Sequence, residues 1–174
     1  KKHKVSIDKT IAFLDRLGVR NNDSQAVALL PASTSKKINK NPKTGEIISK
    51  KWVTSQWIEI ESNDVFNIDQ TYRQMSELLG KGVLVRPSRP EFTYTKLAAK
   101  RVDMLAKATK DAHTRAEAIV YQTGSELGNV RKVDTGVFQI TVPNSTRVSS
   151  WGSYDTSTIN KDITAVMGVT FEVN

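Results

Sequence analysis

The stretch KDITAVMGVTFEV (Lys161–Val173) decides the fold class. Ile163, Ala165, Met167, Val169, Phe171 and Val173 alternate with Thr164, Thr170 and Glu172, the period-two pattern of a strand with one buried face. Val166 and Gly168 make the second face less polar, so partial cover there is expected. The run places Phe171 in a core, on a central or near-central strand. Upstream, residues 96–121 carry Ala98, Val102, Leu105, Ala112, Ala116 and Ile119 at three- and four-residue steps with one gap, which predicts a long amphipathic helix. Small Ala side chains on that stripe would let it lie close against the strand. Thr95 is the expected cap, and Gly124 and Gly128 mark the exit. GVFQITV (Gly136–Val142) is a further strand, followed by a polar loop from Pro143 to Lys161.

The first half reads as helix, hairpin, helix. Ile7, Ile11 and Leu14 form an apolar stripe that ends at Gly18. Ala26–Leu30, stopped by Pro31, is a strand. Residues 36–47 carry the turn signals Asn-Pro and Thr-Gly and predict a hairpin with a long basic tip. The returning strand is expected over Lys50–Glu61, with Ile58 and Ile60 on one face and Glu59 and Glu61 on the other. Asn67 with Gln70 resembles a capping box, followed by Ile68, Tyr72, Met75 and Leu79 at helical spacing. Val83–Val85 and Phe92–Tyr94 flank RPSRP, which predicts an interrupted edge strand. The class is therefore α+β, with antiparallel or mixed sheets covered by helices.

Composition narrows function more by exclusion than by signal. The chain of 174 residues can bury a sizeable core without staples. It has no Cys, so disulfides, thiolate metal sites and Cys nucleophiles are excluded. No apolar run approaches the roughly 20 residues of a membrane span. The net charge is +8, but it is local. Residues 1–4 carry +3 and residues 36–51 carry +5, while the remainder holds 17 basic and 17 acidic side chains. A specific nucleic-acid surface is therefore not expected.

Candidate chemistry is sparse. His113 and Glu117 stand four apart on the long helix and could supply two metal ligands, but a catalytic zinc usually takes three. The plainer reading is a solvated face with local ion pairing. Glu59 and Glu61 share a strand face about 7 Å apart at strand rise, and solvated acids are the plainer reading there too. Gly124–Gly128 and Gly80–Gly82 lack a phosphate loop's ending and context. No G-x-S-x-G elbow is present. No cofactor, metal or catalytic residue is assigned, and the expectation is a non-enzymatic protein, with a cryptic hydrolase as a distant alternative.

The candidate interaction surface comprises Lys36, Lys37, Lys40, Lys43, Lys50, Lys51 and Trp52, with Trp151 and Tyr154 in the polar loop. Six lysines beside a tryptophan could contact a polyanion, an anionic lipid or an acidic protein. The plainer alternative is a soluble hairpin guarded by Lys against edge pairing.

The order of these segments resembles the SIMPL-domain family of exported bacterial proteins, whose biochemistry is largely unknown. The resemblance runs from Phe13-Leu14 and Leu17-Gly18-Val19 to the terminal strand and is strongest over Ala112–Val173. Ala112, Ala116, the Leu127-Gly128 step, GVFQI and DTSTINKDI (Asp155–Ile163) carry it. It implies two α/β-sandwich-like modules sharing the long helix and a periplasmic or otherwise extracytoplasmic compartment. It also implies a cell-envelope role with self-assembly into a homo-oligomer. The opening KKHKVSIDKTIAFLDRLG reads as the second half of a helix. The chain is thus expected to be a SIMPL-like domain over 1–174 that lacks the family's N-terminal strand region. Its expected submodules are 1–50, with part of the C-terminal region, and 51–142.

Overall fold

The computed structural model describes residues 2–22, 24–147 and 149–174. Helices and mixed sheets make an α+β protein of two compact units, Lys1–Pro90 and Glu91–Asn174.

The first unit is built on α1 (Lys2–Arg16). Its last turn carries Phe13 and Leu14, and the chain leaves through Gly18 at φ +78°, a left-handed exit that Gly adopts without strain. Phe13, Leu14, Val19, Leu78 and Val83 form the buried cluster, with Ile11, Leu17, Met75 and Val85 packed around them. Over this cluster lies a two-stranded antiparallel sheet of β1 (Gln25–Leu29) and β4 (Ile58–Ser62). Val27 pairs with Ile60 and Leu29 with Ile58; Val27, Ile58 and Ile60 rest on the cluster, while Glu59 and Glu61 face water. The predicted alternation of this strand is therefore observed.

The returning strand is not continuous. It divides into β3 (Ile47–Ser55) and β4, interrupted at Gln56 and Trp57. β3 pairs with β2 (Ser33–Lys40). The break is held by side-chain bonds that periodicity cannot reveal. Gln56 donates to the Leu30 carbonyl at 2.7 Å and bonds the His3 ring at 2.9 Å, while the Leu30 N–H donates to the Trp57 carbonyl at 3.0 Å.

Helix α2 (Val65–Gln74) begins one turn earlier than the capping-box reading places it. Asp64 is the cap, and its carboxylate accepts the Asn67 N–H at 3.0 Å. Asp is as good a cap as Asn, and the helical spacing alone does not choose between them. The short α3 (Glu77–Gly80) turns Leu78, not Leu79, into the core. No strand forms over residues 83–94. Val83 is instead buried in the first cluster, and Phe92 is buried in the second unit, its N–H bonded to the Thr156 carbonyl at 2.7 Å.

The second unit packs α4 (Leu97–Thr123) on a three-stranded sheet in the order β6 (Ser153–Tyr154), β5 (Leu127–Thr141), β7 (Asp162–Val173). The β7 alternation is observed from Ile163 to Phe171, but Val173 and the Val166–Gly168 face are exposed. β7 is an edge strand and β5 the central one, so Phe171 is only partly buried, its ring edge-on to His113 at 5.6 Å. β5 begins at Leu127, nine residues before the predicted strand. Gly128 belongs to it, and Gly124 alone closes α4 at φ +73°. Lys96, not Thr95, takes the N-cap position and makes no side-chain cap bond.

The buried stripe of α4 is rotated from the expected one. Leu97, Met104, Leu105, Ala108, Thr109, Ala112, Ala116 and Val120 lie at least partly inside, whereas Val102 and Ile119 are 75% and 67% exposed. Thr109 joins the helix to β7 by donating to the Met167 sulfur at 2.9 Å. α4 packs chiefly on β7. Val130 and Val133 of β5, paired with Phe171 and Val169, are therefore left about half exposed.

Unfolding measurements should separate these environments. Phe13→Ala is expected to cost about 3–5 kcal/mol, as a fully buried aromatic does. Val102→Ala should stay within about 0.5 kcal/mol, and Phe171→Ala should fall between the two.

Candidate interaction surface

Beyond the Gln56 break, the β1–β4 ladder continues as the β2–β3 hairpin, whose two strands are each other's main packing partner. Every residue of β2 is exposed, and in β3 only Ser49 and Val53 are partly covered. At about 3.4 Å per residue, an eight-residue strand gives an arm about 27 Å long. The tip is a closed turn. The Asn41 N–H donates to the Glu46 carbonyl at 2.8 Å and its carbonyl accepts the Gly45 N–H at 2.9 Å, its side chain accepts the Lys43 N–H at 2.9 Å, and Gly45 sits at φ +74°. Asn at the start of a turn favours this side-chain acceptance.

The arm brings most of the predicted lysines together. Lys36 is paired with Trp52, its ammonium 5.8 Å from the indole centre. Ile38 is paired with Lys50, and Thr34 with Thr54, whose hydroxyls are 3.0 Å apart. On the opposite face Lys37 lies directly across from Lys51, a like-charge pair that destabilises a bare hairpin. Lys40 pairs with Ile47 beside a bulge, and Lys43 is in the turn. The isoleucines of this surface were missed. Ile38, Ile47 and Ile48 are 45%, 48% and 63% exposed, and Trp52 is 72% exposed. Their signal was present as isoleucines set among lysines, but only the tertiary structure shows that, among the described residues, little covers them.

Trp151 and Tyr154 belong to the second unit, apart in sequence from the arm. Trp151 is 93% exposed on a turn closed by the Gly152 N–H donating to the Ser149 carbonyl at 3.2 Å. Tyr154 lies in β6, which runs parallel to β5 at Ile140, and is also exposed. Neither folds back over the sheet.

The polar loop holds a cluster absent from the predicted site. Asp155 accepts the Ser157 hydroxyl at 2.6 Å, the Ser157 and Thr158 N–H groups at 3.0 and 3.1 Å, the Thr158 hydroxyl, and the Lys161 ammonium at 3.0 Å. Lys161 also donates to the Asp155 and Thr158 carbonyls at 2.6 and 2.7 Å. Both side chains are nearly buried. Burial raises the Asp155 carboxyl, but the Ser157 and Thr158 hydroxyls, the Ser157 N–H and Lys161 outweigh it and hold the group well below the ordinary carboxylate range. An Asp followed by Ser and Thr two and three residues on is a legible turn signal. Lys161 closing the same turn is legible only in three dimensions. Every donor is consumed internally, so the cluster anchors β6 and the start of β7.

The remaining candidates stay separate. His113 Nδ1 is 3.4 Å from Glu117, and its ring packs on Phe171. Glu59 and Glu61 are exposed on β4. Among the described residues no three His, Asp or Glu side chains converge on a cation site. A shallow, open depression is lined by the polar residues Asn22, Ser24, Gln25, Asn63 and Asp64. No helix among the described residues is long and apolar enough to cross a membrane.

The family model described as SIMPL, protein of unknown function (DUF541), matches residues 1–171, and the chain belongs to this family. No curated protein matches the chain, and no solved structure does.

The Asp155 cluster makes a prediction about acid. Its folded-state pKa is depressed, so its stabilisation is complete above the ordinary carboxylate pKa of about 3.9 and is lost as pH falls below it toward the folded value. Asp155→Ala should cost about 3–5 kcal/mol, the usual range for breaking a buried ion pair. The parent should lose stability between neutral pH and pH 2 by a larger amount than Asp155→Ala does in chemical denaturation.

Proposed function

We propose that this SIMPL-family chain is a non-enzymatic protein that acts outside the cytoplasm, in the cell envelope, by assembling with further copies of itself. The observation that carries the assembly is the open side of β5. Among the described residues β5 meets β6 only at Gln139 and Ile140, so positions 127–136 pair with β7 alone. That long edge presents free backbone groups beside Val130 and Val133, each about half exposed. Natural proteins usually shorten, bulge or cover such an edge, because another strand can add to it. Here the bulges near Val130 and Thr135 bend the edge without covering it. The extracytoplasmic setting is supported by the family resemblance. A chain without Cys is compatible with it.

Sedimentation analysis of the chain at high micromolar concentration tests this. A homo-oligomer is expected. Val130→Lys with Val133→Lys should weaken self-association about tenfold or more, equivalent to ~1.4 kcal/mol. The unfolding temperature should stay close to the parent's, since both positions already face water. A strictly monomeric parent counts against assembly as the role, and an oligomer untouched by the two lysines removes this edge as its interface.

A further inference from the structure

We propose that the β2–β3 arm is a docking element for an anionic lipid surface. Lysines along both faces would meet headgroup phosphates, while Trp52 and the isoleucines near the tip enter the interfacial layer. The proposal is independent of the β5 edge and uses different residues.

Three observations carry it. The first is a local excess of positive charge, six lysines against one acid over residues 36–51. Outside the arm and residues 1–4, basic and acidic side chains are equal in number, 17 each, and several are ion-paired, as in Arg16–Glu77, Arg73–Asp69, Lys107–Asp103, Arg115–Asp111, Arg131–Glu172 and Lys132–Asp134. Among the described residues none of the six arm lysines has a carboxylate within ion-pair distance. The arm's one acid, Glu46, accepts instead from the Thr44 hydroxyl at 3.2 Å. Lys37 and Lys51, set directly across the ladder, repel each other until an anion lies against them.

The second observation is the apolar content. Lysines that only guard an edge need no exposed tryptophan beside them. Yet Trp52 and Ile48 are among the most exposed apolar side chains of the first unit, and Ile38 and Ile47 are about half exposed. Indole has an apolar body and a polar N–H, which suits the boundary between headgroups and acyl chains. Lys stems can lie along apolar surface while their ammonium groups reach phosphate. Interleaved isoleucine and lysine therefore fit a lipid interface better than a nucleic-acid backbone. The arm also holds no Arg, the side chain that forks onto phosphates and bases.

The third is geometry. The base of the arm is fixed by Gln56 to Leu30 and His3, and the tip is closed by Asn41. The arm is thus a preformed ribbon whose exposed length reaches away from its anchored base. A two-stranded ribbon without cover is marginal alone in water, and lying on a surface would supply that cover.

The test uses the full chain and vesicles of phosphatidylcholine, with and without phosphatidylglycerol. Co-sedimentation is expected with the anionic vesicles at low ionic strength, with little on phosphatidylcholine alone. Raising salt to about 0.5 M should weaken it strongly, because screening shortens the reach of exposed charges. Replacing Lys36, Lys37, Lys40 and Lys43 together by Gln should reduce binding roughly tenfold or more. Trp52→Ser with Ile48→Ser, all lysines kept, should also weaken binding to vesicles while leaving binding to heparin unchanged. In a Trp57→Phe, Trp151→Phe background, Trp52 emission should shift to the blue on vesicles. Because the altered side chains are exposed, circular dichroism and the unfolding temperature should match the parent.

Several results overturn the proposal. One is no sedimentation of the parent with anionic vesicles at low salt. A second is sedimentation unaffected by both sets of substitutions. A third is equal loss on heparin and vesicles for the lysine variant with no effect of the Trp52 and Ile48 changes, which would assign the arm to polyanions. A fourth is loss of oligomers without loss of vesicle binding, which would make the arm a contact between copies.

Discussion

A strand can bury one face against a helix, but its outer edge still offers N–H and C=O groups to whatever approaches. Among the described residues the three sheets contain two, two and three strands, so only β5 has neighbours on both sides, and only for two residues on one of them. How each ladder is covered then determines what it can do. The β1–β4 pair lies on α1 and becomes the wall of the main core. The β5–β7 pair is covered by α4 along β7 and left open along β5. Among the described residues the β2–β3 pair has no covering helix and carries its charge and its apolar side chains in the open.

The helices supply most of what the thin sheets cannot. Phe13 and Leu14, adjacent in sequence, reach the same buried cluster as Leu78 and Val83, far along the chain. That cluster closes only because Gly18 turns the chain back after α1 and α3 swings Leu78 inward. In the second unit, Ala and Thr on the inner face of α4 permit close approach to β7, as the Thr109–Met167 contact shows. Large side chains at Val102 and Ile119 stay outside, which leaves apolar surface on a helix that already covers its strand. The Asp155–Lys161 pair does comparable work for the loop, since a buried and fully bonded ion pair specifies one conformation for a polar segment without an apolar anchor.

Both proposed contacts arise from the same shortage of cover, and their chemistry separates them. The β5 edge is nearly neutral and lined by valine, with Arg131 and Lys132 already paired to Glu172 and Asp134. It suits another strand. The arm is cationic and unpaired, with an indole and isoleucines among its lysines. It suits an anionic boundary that is apolar beneath.

The amino-acid sequence by itself determined the α+β class, the family, the long helix, the period-two burial of β7 and the local placement of charge in the hairpin. These depend on spacing between near neighbours, and a strand or helix imposes its period whatever lies beyond it. Tertiary structure alone decided which side of α4 is buried, because an Ala-rich helix offers several weakly apolar faces and its partner strand selects one. It also decided that β7 is an edge and β5 central, since strand order depends on pairing across more than thirty positions between Lys132 and Thr170. The interruption at Gln56 lay beyond local spacing for the same reason, as it is made by bonds to Leu30 and His3. The lysines were legible as composition. Their combination with exposed Trp52, Ile38 and Ile48 became a surface only when the hairpin register fixed which side chains share a face and, among the described residues, nothing folded over them.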